Sequence, residues 1–305
     1  MKKDFLAITD LTKEEINQLF QLAKSLKAKL KNKEIFHPLA GKTLAMIFQK
    51  PSARTRVSFE TGMYQLGGHA VFLNPTEIGL GKRETAADVA RVFSRYNDGI
   101  MARLFAHELI LDLAKYASIP VINGLTDYNH PCQVLGDILT IDEHLGRMED
   151  FKITYIGDGN NMVHSWLNAA SRLSMGLNLA IPEGYDPNPN LLKSAQEIGI
   201  SEISIIRDPK EAVHDADIIY TDVWASMGQE KEAEKRKKAF KNYQINDDIL
   251  KEAKSNVKVM HCLPAHRGDE ITDSVMDGPH SIVFDEAENR LHLQKAIMVT
   301  LMQDQ

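Results

Sequence analysis

The chain has 305 residues, 43% hydrophobic and 26% charged, enough for two domains with cores of their own. Its formal net charge of -6 disfavours a nucleic-acid partner, so any bound anion has to be held by a local cluster. Two cysteines, Cys132 and Cys262, and no run of about 18 apolar residues argue against a disulfide framework and a membrane span, and fit a reducing cytoplasm.

The first element is a helix. Thr12 and Glu15 form a capping box ahead of an amphipathic stretch carrying Ile16, Leu19, Phe20, Ala23, Leu26 and Leu30. The N-terminus therefore reads as folded chain and not as a signal peptide. Strand-like apolar runs come next at 43–48, 70–73, 99–102 and 119–123, then at 152–156, 177–181, 202–206, 217–221 and 257–260. Helical patterns lie between them at 53–66, 84–96, 107–117, 131–145, 162–175, 189–199 and 209–215. In the first of these Val57, Phe59, Met63 and Leu66 mark the apolar positions, and Gly67-Gly68 stops the helix. The alternation predicts an α/β protein of two doubly wound parallel-sheet domains. The boundary falls in the helix from Pro131 to Leu145 or the polar stretch 146–150. The Glu- and Lys-dense run 229–241 reads as a solvated helix.

Ligands of open α/β sheets bind beyond the carboxyl ends of the strands. The residues just after each strand are therefore the informative ones. After 43–48 comes Ser52-Ala53-Arg54-Thr55-Arg56, the first turn of a helix. Ser52 suits the N-cap, with its hydroxyl in reach of the Thr55 amide. The unpaired amides and positive dipole end favour an anion, and Arg54, with Arg56 a second candidate, adds planar donors matched to phosphate oxygens. Arginines there are unfavourable for the dipole, which argues against a passive surface helix. No Gly-x-x-x-x-Gly-Lys-Ser/Thr pattern is present, so a smaller phosphorylated molecule is expected instead of a nucleoside triphosphate.

Arg103 succeeds the strand at 99–102 and would point to the same crevice as Ser52; an exposed strand end is the alternative. His130 flanks a helix opened by Pro131, with Gln133 in its first turn. Gly157-Asp158-Gly159-Asn160-Asn161 lacks the third glycine of a dinucleotide fingerprint, the place being Met162, so a tight turn presenting Asn161 explains it without a cofactor. Asp222 and Ser226-Met227-Gly228 come after 217–221, and His261-Cys262-Leu263-Pro264 after 257–260. His261, Cys262 and His266 do not have the spacing of a structural zinc site, so no metal is expected. Cys262 reads as a nucleophile paired with His, a polar contact and proton acceptor near an amine, or a buried structural thiol.

Taken in order, these motifs, closed by Glu288-Asn289-Arg290-Leu291, resemble the ornithine carbamoyltransferase family over nearly the whole chain. The resemblance implies transfer of the carbamoyl group of carbamoyl phosphate to the side-chain amine of ornithine, without cofactor or metal, in arginine biosynthesis. It implies that residues 1–133 bind carbamoyl phosphate, that 134–285 bind ornithine and that 286–305 form a final helix returning to the first domain. Ser52, Ala53, Arg54, Thr55, Arg103, His130, Gln133, Cys262, Leu263 and Arg290 match the carbamoyl phosphate positions, and Asn161, Asp222, Ser226 and Met227 those for ornithine. Arg54, Arg103, His130 and Cys262 match catalytic positions. A Ser-Met-Gly lid, a homotrimer or trimer-based assembly and a cytoplasmic location are implied as well. Two positions depart from the family: Ala53 stands where it has a second hydroxyl, and Gly79 where a glutamine usually reaches across the subunit interface. Lys82 is a candidate substitute for that contact.

Overall fold

The computed structural model describes residues 4–81, 83–225 and 232–303. The chain divides into two compact units, one made of Met1–Gly136 with Asn289–Gln305 and the other of Asp137–Glu288.

The first unit opens with α1 (Lys13–Lys31), whose start is the expected capping box: Thr12 Oγ1 accepts from the Glu15 amide and the Glu15 carboxylate accepts from the Thr12 amide. Ile16, Leu19, Phe20, Ala23 and Leu26 are buried, while Leu30, in the last turn, is exposed. Its sheet contains β1 (Thr43–Phe48), β2 (His69–Leu73), β3 (Gly99–Arg103) and β4 (Val121–Leu125). The strands are parallel and lie in the order β2-β1-β3-β4. Between them run α2 (Ala53–Gln65), the short α3 (Pro75–Ile78), α4 (Ala86–Tyr96) and α5 (His107–Tyr116). β3 and β4 are buried along their whole length, as parallel strands covered on both faces must be. The helix α6 (Pro131–Leu145) comes next.

The second unit holds five parallel strands: β5 (Phe151–Ile156), β6 (Met175–Ala180), β7 (Glu202–Ile205), β8 (Ile218–Thr221) and β9 (Lys258–His261), in the order β7-β6-β5-β8-β9. Its helices are α7 (Asn161–Ala170), α8 (Pro189–Ile198), α9 (Pro209–Ala212), α10 (Ala233–Phe240), α11 (Asp247–Glu252) and α12 (Asp273–Met276). The last helix, α13 (Val283–Met302), returns to the first unit from Asn289 onward. There Lys295 Nζ donates to Gln65 Oε1 at 2.9 Å, and a Cβ on Gly62 of α2 would lie 2.9 Å from Met298 Cε. Gly62 thus lets α13 sit close on α2.

Strand order reverses once in each sheet, between β1 and β3 and between β5 and β8. At such a switch point adjacent loops leave in opposite directions and open a crevice. The loops concerned carry Ser52 and Arg103 in the first unit, and Gly157–Asn161 and Asp222 in the second.

Four expectations need correction. The run 229–241, expected as a solvated helix, is helical in α10 from Ala233 to Phe240 and buries Arg236 and Phe240. The helix expected over 162–175 ends at Ala170, and β6 begins at Met175. Leu173 keeps helical spacing from Ala169 and Ala170 across the polar Ser171-Arg172, so periodicity shows no break. The helix expected over 209–215 is the single turn of α9, and the chain reaches Asp215 with φ at 61°. Val57 is 57% exposed, because the buried stripe of α2 runs through Thr55, Phe59, Gly62 and Met63, and Val57 lies about 200° around the helix from Phe59. Phe59→Ala should therefore lower the unfolding free energy by about 3–5 kcal/mol, and Val57→Ala by no more than about 0.5 kcal/mol, as read from urea denaturation.

Candidate active site

The first turn of α2 is built as a cup. Ser52 caps it, its Oγ accepting from the Thr55 amide at 3.3 Å and donating to Thr55 Oγ1 at 3.1 Å. Thr55 is wholly buried, and its Oγ1 is also met by Arg103 Nη1 at 3.4 Å and by Arg290 Nη2 at 3.0 Å. Arg103 ends β3 at a step in register: Ala102 pairs with Asn123, but Arg103 pairs with Leu125. An irregularity of this kind re-aims a side chain at the edge of a sheet. Arg290 comes from α13, nearly the full length of the chain away in sequence, and lies against Gly136 of α6. Arg54 completes the turn; its Nε is buried and has no hydrogen-bond partner among the described residues. Arg56 points elsewhere, to Glu60 at 3.0 Å and over the Phe72 ring at 3.9 Å, so it is not part of the cluster.

His130 and Gln133, at the start of α6, are buried in the same unit. Burial holds the His130 imidazole well below its ordinary pKa, and the charges of Arg290 and then Arg103 press in the same direction. At neutral pH it is an uncharged ring, able to donate one hydrogen bond without adding a third charge. Cys132 is sealed in the core, its thiol pushed up to about 12 by burial. Lys50, within the stretch that carries the family resemblance, has no role assigned to it from sequence, since a lysine two residues before the cap has no pattern of its own. It is nearly buried, pairs with Asp127 and lies 4.7 Å from the Phe105 ring centroid, tying together the segments after β1, β3 and β4.

The second unit collects acids. Asn160 caps α7 through the Met162 amide, and its Nδ2 donates to Asp222 Oδ2 at 3.0 Å. Asn161, the residue expected to matter, opens α7 one position further on. Asp222 Oδ1 accepts from the Val223 amide at 2.7 Å and from Cys262 Sγ at 3.0 Å. Burial first, and the Asp222 charge second, lift the Cys262 thiol well above its ordinary range. Cys262 therefore stays protonated and acts as a donor to Asp222, which corrects the reading of it as a proton acceptor and leaves a thiolate nucleophile without support. Leu263 has φ at 57° and its amide donates to His261 Nδ1 at 2.9 Å. The other ring nitrogen of His261 faces Glu270 Oε1 at 3.1 Å, with both side chains fully buried, so His261 organises the loop. Among the described residues no group of three or more His, Cys, Asp and Glu side chains is arranged to hold a metal. Asn160, Tyr155 and Asp158 around Asp222 were not singled out in the sequence, since only the fold brings them to one carboxylate. Ser226, Met227 and Lys82 lie outside the described residues.

The two departures have a local account. Ala53 is the first residue of α2 and contributes an amide with no intrahelical carbonyl to bond, as any residue there would. Gly79 is in the left-handed region with φ at 63°, and a Cβ on it would lie 2.8 Å from Arg83 Cβ. The tight turn, with the Arg83 amide donating to Gly79 O at 2.7 Å, has no room for a side chain.

Residues 3–143 match the aspartate/ornithine carbamoyltransferase carbamoyl-P binding domain, and residues 149–301 match the Asp/Orn binding domain. The chain belongs to the aspartate/ornithine carbamoyltransferase family. It is 55% identical to the ornithine carbamoyltransferase of Oceanobacillus iheyensis, over 99% of this chain and 95% of that one. It is also 55% identical to the chloroplastic ornithine carbamoyltransferase of Pisum sativum, over 98% of this chain and 80% of that protein. The crystal structure of the Thermus thermophilus ornithine carbamoyltransferase aligns with a TM-score of 0.90 at 41% identity, covering 99% of both chains. The Pyrococcus furiosus ornithine carbamoyltransferase aligns with a TM-score of 0.94 at 52% identity, covering 98% of this chain and 96% of that one.

In this carbamoyltransferase-family chain a thiol held protonated by burial and by Asp222 should react slowly with alkylating agents. Cys262 should resist iodoacetamide at pH 8, and Asp222→Asn should speed its modification about tenfold or more, since removing the carboxylate charge lowers the thiol pKa. Mass spectrometry of the Cys262 peptide over time checks both.

Proposed function

We propose that this chain transfers the carbamoyl group of carbamoyl phosphate to the side-chain amine of L-ornithine, giving L-citrulline and phosphate. The observation that carries this reading is the meeting of Arg103 and Arg290 on Thr55 Oγ1 at the mouth of α2. Two guanidinium groups at one buried hydroxyl, beside a helix start and a third arginine, form a receptor for a compact dianion. The family match and the identity to named ornithine carbamoyltransferases support the same conclusion.

Ser52, the amides of Ala53 and Arg54, and the Arg54 and Thr55 side chains take the phosphate. Arg103, neutral His130, Gln133 and Arg290 are assigned to the carbamoyl end, and Cys262 and Leu263 to the same substrate. Asp222 takes the amine, with Asn161, Ser226 and Met227 along the amino acid. A primary amine with pKa about 10.4 costs roughly 4.6 kcal/mol to neutralise at about pH 7. Desolvation lowers that cost; Asp222 holds the amine as the ammonium, and the proton is lost to solvent before attack. The neutral nitrogen attacks the carbamoyl carbon and the carbonyl oxygen gains negative charge, which Thr55, Arg103 and His130 stabilise as fixed donors. As the carbon–oxygen bond to phosphate breaks, the electron pair leaves with phosphate into the α2 turn, and the proton shed by the newly bonded nitrogen passes to the departing phosphate. Holding both substrates removes the entropy cost of their encounter. No covalent enzyme intermediate enters the scheme.

We place the reaction in arginine biosynthesis in the cytoplasm. Both cysteines are free, and among the described residues no helix is long and apolar enough to cross a membrane. We also propose a homotrimer, supported by the exposed Val57 and Tyr64 on α2 and Val71 on the edge strand β2. Light scattering should give three chains per particle, and Tyr64→Glu should reduce that mass; a monomeric wild type would refute the assembly.

With carbamoyl phosphate and a panel of ornithine, putrescine, aspartate and N-acetylornithine, only ornithine should give a carbamoylated product. Arg54→Ala should lower kcat/KM about 100-fold or more, as loss of a donor to developing charge does. Turnover with another amine, or near-normal kinetics of the variant, would count against the assignment.

A further inference from the structure

One buried ion pair in the second unit takes no part in this carbamoyl-transfer scheme. Arg236 of α10 is 7% exposed, and its Nη1 donates to Asp158 Oδ2 at 2.8 Å and to the Trp224 carbonyl at 2.9 Å. Its Nε faces Glu232 at 3.3 Å, and the guanidinium lies 5.2 Å from the Tyr185 ring centroid. Trp224 and Glu232 flank residues 226–231, so one side chain holds the chain on both sides of the Ser226-Met227-Gly228 motif.

Asp158 belongs to the turn after β5. The Asn160 amide donates to Asp158 O at 2.8 Å, and Asn160 Nδ2 reaches Asp222. The turn is pressed against a second segment: the Gly159 amide donates to Tyr185 O at 2.9 Å, and a Cβ on Gly159 would sit 2.4 Å from Tyr185 O and from Pro187 N. A continuous set of contacts therefore runs Arg236–Asp158–Asn160–Asp222–Cys262. Its charge count matters as much as its rigidity. Asp158 and Asp222 are neighbouring carboxylates, each nearly buried. Burial raises the Asp158 pKa, the Arg236 charge pulls it back, and Asp222 raises it further. With Arg236 in place Asp158 is matched, and Asp222 is left as the carboxylate to receive a cationic amine.

We propose that Arg236 is a positioning and specificity residue for the amine acceptor: it neutralises Asp158 and fixes the turn that orients Asp222. The inference rests on the proposed ornithine reading. The partners of Arg236 named above all belong to the second unit, the one assigned to the acceptor. A buried charge left unpaired is the costly state, so the damage from losing Arg236 should come partly from the uncompensated Asp158.

The test uses the full chain and four variants, Arg236→Gln, Arg236→Lys, Asp158→Asn and the double variant Arg236→Gln/Asp158→Asn, each with KM for ornithine and for carbamoyl phosphate and a melting curve. Arg236→Gln should raise KM for ornithine tenfold or more and leave KM for carbamoyl phosphate within twofold. Arg236→Lys should recover part of the loss, and the double variant should bind ornithine at least threefold better than Arg236→Gln. Equal rises in both KM values with a lowered melting temperature in all variants would overturn the proposal in favour of a purely structural pair. So would a double variant no better than the single one. A wild-type chain without citrulline formation would overturn the functional reading and this inference with it; an active wild type with an unaltered Arg236→Gln overturns this inference alone.

Discussion

Two positive charges share one hydroxyl. Arg103 and Arg290 both donate to Thr55 Oγ1, within a buried patch that also holds His130 and opens beside the amides of α2. Like charges held this close in a region poor in water repel, and an anion relieves the strain. The arrangement is thus a receptor before any ligand arrives. The same charges, with burial, keep His130 uncharged and so make it a donor that adds nothing to the repulsion. The packing around the cup serves this one constraint. Gly62 lets α13 lie close on α2, and the register step between β3 and β4 turns Arg103 inward.

The second unit solves the opposite electrostatic problem. Its switch point gathers Asp222, Asp158 and the Cys262 thiol. In the proposed scheme the Asp222 carboxylate attracts a cationic amine there. Cys262 gives its hydrogen to Asp222, which orients the carboxylate. A chain with a net charge of -6 thus carries two local fields of opposite sign, each at the strand ends where its own sheet reverses order. The sign of the whole molecule says little about either substrate.

The two departures from the family pattern fall on backbone and not on charge. At Ala53 the turn offers an amide whatever the side chain, so a missing hydroxyl leaves the anion cup standing. At Gly79 the left-handed turn against Arg83 gives glycine a structural reason to be there. Neither position touches the guanidinium pair on Thr55.

Local pattern was enough for the nine strands among the described residues, because alternation of short apolar runs with helical stripes is imposed by burial on both faces of a parallel sheet. It was enough, too, for the α1 capping box and the Ser52 cap, whose partners are three residues away. It misjudged Val57 and the end of α7, where apolar residues kept helical spacing but the geometry did not follow. Residue types after each strand marked the loops that bear chemistry, since strand ends in this architecture face the crevice. Long-range company lay beyond their reach. That Arg290 meets Thr55 across 235 positions, that Asn160 reaches Asp222, and that Arg236 matches Asp158 depend on strand order and helix return. Electrostatics depends on distance in space, so the neutral ring of His130 and the protonated thiol of Cys262 were decided only when folding placed buried charges beside them.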